Sequence, residues 1–152
     1  MKKVFLLLMS ITVLTGCEIE DDGPDSVQVL AEVIDTNLPE SFEPGEVYQV
    51  EITYLLPNVC HIPVGVQAVR GGAEGSARRD IYVSGVASYL PGEGECTLEN
   101  EDLEEIDSFS LRVDEDEPYT FYLWTGFDEN QESIYTQIVV PVGETTPTTS
   151  VK

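Results

Sequence analysis

The chain is poor in positive charge and has one histidine, one tryptophan and three cysteines, and its one sustained apolar run lies in the first sixteen residues. Each shortage excludes something. Seven Lys and Arg stand against 29 Asp and Glu, for a net charge of −22. Anionic phosphate backbones and anionic lipid surfaces would repel such a surface, so nucleic acid is excluded as a partner. A single imidazole, His61, must serve any triad or metal site built on histidine. It stands beside Cys60 and before Pro63, with no neighbouring pattern that supplies a nucleophile and an orienting acid. Cys60 and Cys96 with His61 fall short of the four ligands that structural zinc needs. No cofactor is expected.

What is present begins with a basic start (Lys2, Lys3), an apolar run from Val4 to Leu14 broken by Ser10 and Thr12, and the small pair Thr15, Gly16. This is the pattern of a signal peptide over residues 1–16. The run is about half the roughly twenty residues that a transmembrane helix needs. Leu14-Thr15-Gly16-Cys17 resembles the lipobox of bacterial lipoproteins. The resemblance implies cleavage before Cys17, lipid on its thiol and an acylated amine, giving a membrane anchor of several chains at about 0.8 kcal/mol per buried methylene. Residues 17–25 then form an acidic tether, with too little apolar surface to fold alone. Its acids behind Cys17 resemble the surface-export signal of lipoproteins from Bacteroidota, which implies a lipid-anchored place at the outer membrane, extending to the cell surface.

Removal of residues 1–16 takes away Lys2 and Lys3, leaving five basic against 29 acidic groups, a net charge of −24 on a mature chain of 136 residues. That length suits one domain. With Cys17 assigned to lipid, Cys60 and Cys96 remain as an even pair in a compartment that permits disulfides. A 60–96 bridge is expected, worth roughly 4 kcal/mol in the chain-entropy description.

From Ser26 onward apolar residues recur at every second position, the period of half-buried strands. Seven strands are predicted: Val27–Ile34, Val47–Leu56, Cys60–Val69, Asp80–Leu90, Ser108–Val113, Tyr119–Phe127 and Ile134–Val142. Turn clusters such as Glu43-Pro44-Gly45, Gly71-Gly72, Pro91-Gly92 and Asp128-Glu129-Asn130 separate them. Pairing apolar with apolar sets Phe121 against Val140, Leu123 against Ile138, Thr125 against Thr136 and Phe127 against Ile134, with the turn at Asn130-Gln131. Residues 99–107 suit one helical turn, the only helix expected. The fold class is all-β, an antiparallel sandwich of about seven strands over residues 26–143, followed by a disordered tail over 144–152. The spacing from Val113 to Tyr119, through Asp-Glu-Asp-Glu-Pro, resembles the tyrosine corner of immunoglobulin and fibronectin type III domains. Unlike true immunoglobulin domains, Trp124 lies on the sixth strand and the cysteines do not bracket a tryptophan.

Three groups of side chains are candidates for function. Tyr122, Trp124 and Tyr135 lie opposite the core face of the last hairpin and would make an aromatic strip able to stack sugars or anchor a protein. Asp128, Asn130 and Glu132 place oxygen atoms at alternate positions as calcium loops do, but lack the glycine and the distant bidentate glutamate, so no metal is expected. The denser acidic run Asp114-Glu115-Asp116-Glu117 could capture a cation together with that segment, or be four exposed acids repelling one another at a loop. Separately, Arg70, Arg78 and Arg79 flank the tip Gly71–Gly75 and can offset neighbouring acids. The chain reads as a non-enzymatic, lipid-tethered domain that binds or scaffolds an unknown protein or glycan, anchored to the membrane by its lipid. A carbohydrate-binding accessory module is the first alternative and a small hydrolase the second.

Overall fold

The computed structural model describes residues 26–92 and 103–143 of the chain. Alternating side chains become seven strands: β1 (Val27–Thr36), β2 (Val47–Leu55), β3 (Ile62–Arg70), β4 (Asp80–Tyr89), β5 (Glu104–Arg112), β6 (Tyr119–Phe127) and β7 (Ser133–Val140). Helix is confined, among the described residues, to one 3-10 turn at Gly75–Arg78, where none was predicted. The helical turn predicted over 99–107 is corrected. Glu104 to Asp107 belong to β5 and pair with Leu55 to Ile52 of β2 in unbroken register. The ladder outweighs the local helical spacing and leaves Ile106 69% exposed. Residues 99–102, Cys96 among the neighbours before them, the signal peptide, Cys17 with its tether, and the tail lie outside the described residues.

The strands form one mixed sheet in the order β5-β2-β1-β4-β6-β7, with β3 on the other edge of β4. Most pairs are antiparallel, but β4 and β6 run parallel, from Asp80 opposite Thr120 to Val83 opposite Leu123, which corrects the all-antiparallel expectation. A parallel pair needs a crossover. Here the connection from β4 to β6 carries β5, which bonds to β2. The remainder of that β4 edge goes to β1, Val27–Ala31 against Tyr89–Gly85. Then β1 leaves β4 and continues against β2, with a register shift between Val33 and Asp35. The extra residue at this bulge is Ile34, which stays exposed.

The predicted register of the last hairpin is also corrected. Phe121 pairs with Ile138 and Leu123 with Thr136, a slide of two residues that keeps both on the predicted core face, whereas beyond the bulge Phe127 pairs with Ser133 in place of Ile134, meets the Trp124 ring and is 52% exposed. A shift between Trp124 and Gly126 leaves Thr125 unpaired in the ladder, and Gly126 has φ +136°, a backbone region suited to glycine. The turn follows Asp128: its carbonyl accepts the Gln131 amide at 3.1 Å, and Gln131 itself is left-handed at φ 65°. This is a type of hairpin loop built on a turn plus one left-handed residue.

The main core joins Val50 and Ile52 of β2, Ile81 and Val83 of β4, Leu111 of β5 and Phe121 and Leu123 of β6 around Phe42. The Phe42 ring meets Tyr48, Tyr119 and Phe121 at 4.7, 5.9 and 6.0 Å between centroids. A smaller cluster holds Ala31, Tyr54, Leu56 and Ala87. It exists because β4 is bare at Gly85: a Cβ there would stand 2.5 Å from the Tyr54 ring. Burial, with the nearby charges of Glu105 and Asp107 adding to it, pushes the Tyr54 phenol above its ordinary pKa.

Candidate functional site

The parallel register of β4 and β6 sets Tyr82 directly beside Tyr122, and β7 brings Tyr135 to the same outer face. The Tyr82 and Tyr122 rings stack at 4.7 Å and 11° between planes. Tyr135 meets both edge-on, at 5.5 Å and 82° from Tyr82 and at 6.4 Å and 87° from Tyr122. Offset stacks and edge-to-face contacts of this kind are each worth about 0.5–1.5 kcal/mol beyond area burial. Tyr82 is 37% exposed and Tyr135 39%, so the cluster presents its rings to solvent while its backbone is held in the sheet. Lost contact with water, followed by the charge of Asp80, holds the Tyr122 phenol above its ordinary pKa.

Trp124, predicted on this strip, is only 6% exposed and does not join the exposed rings. It lies just past the level at which β1 replaces β6 along β4, in clefts shared with Leu30 on one side and Glu32, Leu55 and Leu56 on the other. Its indole Nε1 donates to Ser133 Oγ at 3.3 Å and its ring meets Phe127 at 5.2 Å. The expected flat platform of Tyr122, Trp124 and Tyr135 is thus replaced by a stepped cluster of Tyr82, Tyr122 and Tyr135. Sequence reasoning missed Tyr82. Its alternation with buried Ile81 and Val83 marked it as outward-facing, but nothing in the sequence made β4 the parallel neighbour of β6.

Below the tyrosines, a cleft of about 110 Å³ is bordered by Gln67, Val69, Tyr82, Ser84 and Trp124. Through Leu30 and Gln67 it continues into a groove of about 390 Å³ between β1 and β3, with Gln28, Val86 and Asp107 on its walls. Gly65 forms part of this wall at φ +138°, and a Cβ on it would come 2.8 Å from Asp107 Oδ2.

The three arginines and the acidic run, separate in sequence, meet at one corner. Arg78 Nη2 donates to Asp114 Oδ2 at 2.5 Å, and Arg79 Nη1 donates to Glu115 Oε2 at 2.6 Å and also pairs with Glu117. Arg70 Nη1 donates to the Arg78 carbonyl at 2.6 Å, and its guanidinium lies 5.8 Å from the Tyr119 ring centroid. The buried Tyr119 hydroxyl accepts the Asp114 amide at 3.1 Å and donates to Asp114 Oδ1 at 3.0 Å. That hydroxyl, then Arg78 and Arg70, holds the Asp114 carboxyl below the usual carboxylate range. The bond that Arg79 donates to Glu115 raises the guanidinium's pKa above its ordinary value. These cations are spent on neighbouring acids and close the loop before β4 onto the turn before β6, where Thr120 N also donates to the Arg79 carbonyl at 2.9 Å.

The hairpin tip spends its carboxylate on its own backbone. Asp128 Oδ1 accepts the amides of Asn130 at 2.8 Å and Glu132 at 2.9 Å, and these bonds lower its pKa. No group of three or more potential metal ligands gathers there or elsewhere among the described residues. His61 lies in the turn after β2, its Nδ1 2.8 Å from Asn58 Oδ1 and its ring 5.0 Å from that of Tyr89. Cys60, whose amide donates to Asn58 Oδ1 at 3.0 Å, is disulfide-bonded, while Cys96 lies outside the described residues. No helix among the described residues is long and apolar enough to cross a membrane. No protein-family model matches the chain, and no curated protein or solved structure shows significant similarity to it.

Proposed function

We propose that the chain is a cell-envelope lipoprotein, anchored through lipid on Cys17 and tethered by residues 17–25, whose β domain is a non-enzymatic binding or scaffolding module for a protein partner. The observation that carries the binding role is the Tyr82, Tyr122 and Tyr135 cluster, half-exposed on three adjacent strands. Tyrosines held on rigid strands offer large contact area at low entropic cost, which is why such residues dominate binding hot spots. The anchor rests on the lipobox-like Leu14-Thr15-Gly16-Cys17, and the outer-membrane address on the acids behind it. An immunoglobulin-like sandwich is supported by the Tyr119 hydroxyl reaching back to Asp114, as in a tyrosine corner, and by β2 and β5 packing a shared core with β4 and β6. The parallel β4–β6 pair departs from that fold. We assign Cys96 as the partner of Cys60.

A protein partner is preferred to a glycan because Trp124 is withdrawn and Tyr135 stands edge-on to its neighbours, leaving no flat platform for a sugar ring. A non-enzymatic role is preferred because Cys60, the thiol next to the one histidine, is disulfide-bonded and so cannot serve His61 as a nucleophile. Two measurements test the reading. Mass spectrometry of the processed chain should find acyl groups on Cys17, and a Cys17→Ala variant should leave the membrane fraction; an unmodified Cys17 removes the anchor. Cross-linking in intact cells should capture a protein that Tyr82→Ala with Tyr135→Ala no longer captures, while binding on a glycan array that needs the same tyrosines would replace the protein partner with a sugar.

A further inference from the structure

Among the described residues the sheet has three edge strands, β5, β3 and β7, and two of them carry protective features. Unpaired edges invite another strand, and proteins blunt them with charge, proline or bulges. The β5 edge carries Glu104, Glu105, Asp107 and Arg112 among its nine residues. The β3 edge carries Pro63 and a register shift at Gly65. The β7 edge, Ser-Ile-Tyr-Thr-Gln-Ile-Val-Val over Ser133–Val140, has no charge, no proline, no glycine and no shift of its own. Among the described residues Ser133–Val140 pairs with β6 alone, and its other edge is met only beyond the strand, where Phe42 bridges Val142 in parallel.

The outer face of β7 is also left open, and so is the start of its inner face, before Ile138 and Val140 pack on the core. Tyr135 and Val139 point to the outer face and Ile134 to the inner one, and all three are exposed. The uncharged edge ends in acids on both sides. Asp128, Glu129 and Glu132 occupy the hairpin tip before it, and Glu43 borders Gly143 just beyond it. Arg78 and Arg79, on the loop before β4, are taken up by Asp114, Glu115 and Glu117. A second copy of this chain would bring the same acids and the same large negative charge to the edge, so self-pairing is opposed by repulsion.

We propose that β7 accepts an extended segment of a cationic protein as an additional strand, its apolar side chains alternating along Ser133–Val140 and its Lys or Arg residues meeting the acids at the two ends. Main-chain bonds to the free edge would give affinity and the flanking charges would give selectivity, the division of labour seen in strand addition generally. This rests on the proposed binding role and adds to it the partner's chemistry and its mode of attachment.

The test uses the full chain and a synthetic peptide of alternating valine and threonine with two lysines at each end. The peptide should bind, slow hydrogen exchange across Ser133–Val140, and lose about tenfold or more in affinity at high salt or when glutamates replace its lysines. The same peptide N-methylated at its core amides keeps charge and side chains but cannot join a ladder, and should not bind. Gln137→Pro, whose amide faces the free edge because its neighbours Thr136 and Ile138 bond to β6, should abolish binding as well once circular dichroism shows it folded. Binding that survives N-methylation, protection elsewhere than β7, or no binding overturns the proposal. So does self-association of the chain that Gln137→Pro removes, which would make a second copy the occupant. If Tyr82→Ala abolishes capture of the cellular partner and Gln137→Pro does not, the tyrosine face stands and strand addition falls. If neither variant affects capture, both readings fall.

Discussion

β6 and β7 are hydrogen-bonded neighbours of comparable apolar content, yet Phe121 on β6 is fully buried while Ile134 on β7 is 45% exposed. The difference lies in what surrounds them. β6 has β4 on one side, β7 on the other and the side chains of β2 and β5 across the core. β7 has one neighbour, and its inner face extends past the strands that cover β6. Apolar character therefore marks a side chain as able to be buried, and the number of neighbouring elements decides whether it is.

Truncation should separate the two strands most sharply. Phe121→Ala is expected to cost about 3–5 kcal/mol, the range for large aromatics in filled cores. Ile134→Ala should change stability by about 0.5 kcal/mol or less, as for surface positions. Chemical denaturation of both variants checks this, and equal costs would mean that β7 is covered in solution. Next in size, Gly85→Ala forces a methyl against the Tyr54 ring and should cost about 1–3 kcal/mol by overpacking. A double-mutant cycle with Tyr54→Leu should recover part of that loss if the ring is the obstacle.

The two acidic loops offer a finer comparison. Asp114 is held down in pKa by the Tyr119 hydroxyl and two arginines, Asp128 chiefly by backbone amides with the Asn130 side chain adding to them. Both are lower folded than unfolded, so each contributes stability above the ordinary carboxylate range that is lost as pH falls through it toward the depressed folded value. Asp114→Asn should lower the melting temperature at neutral pH and flatten its decline in acid. Asp128→Asn should do less, because an asparagine oxygen still accepts the two amides. Melting curves across the acid range check the order, and a larger effect at Asp128 would show that the hairpin tip matters more than the arginine corner. The smallest effect is expected from Val139→Thr, which should leave the melting temperature within measurement error because Val139 is exposed on β7.

Much of the fold was legible. The period-two pattern located all seven strands and set Phe121 and Leu123 on the core face of β6, while Phe127, expected beside them, is 52% exposed. Arg70, Arg78 and Arg79 were expected to offset neighbouring acids, and the acids they meet, Asp114, Glu115 and Glu117, lie far along the chain. Where competing local signals existed, the long-range ladder prevailed. Leu103 and Ile106 suggest a helical turn at three-residue spacing, but pairing with β2 draws Ile106 into a strand. Thr125 reads as an ordinary strand residue, but its bulge turns Phe127 from the expected core face to the side of Trp124 and Ser133.

The candidate site was legible only in part. Tyr122 and Tyr135 were identified from alternation on one hairpin, which is local information. Tyr82 and Trp124 depend on which strand lies alongside, and there the outcome reversed: the unremarked tyrosine is exposed on the cluster and the expected tryptophan is withdrawn from it.

By itself the sequence determined which face of each strand is apolar, because successive side chains in extended backbone point to opposite sides whatever their neighbours. It also determined the strong negative charge, which no folding can alter. Only the tertiary structure decided that β4 and β6 run parallel, that Tyr82 stacks on Tyr122, that Trp124 is covered, and that β7 is left as an uncharged edge. Those are relations between segments distant in sequence, set by the packing of the whole sheet, and period-two alternation carries no information about lateral neighbours.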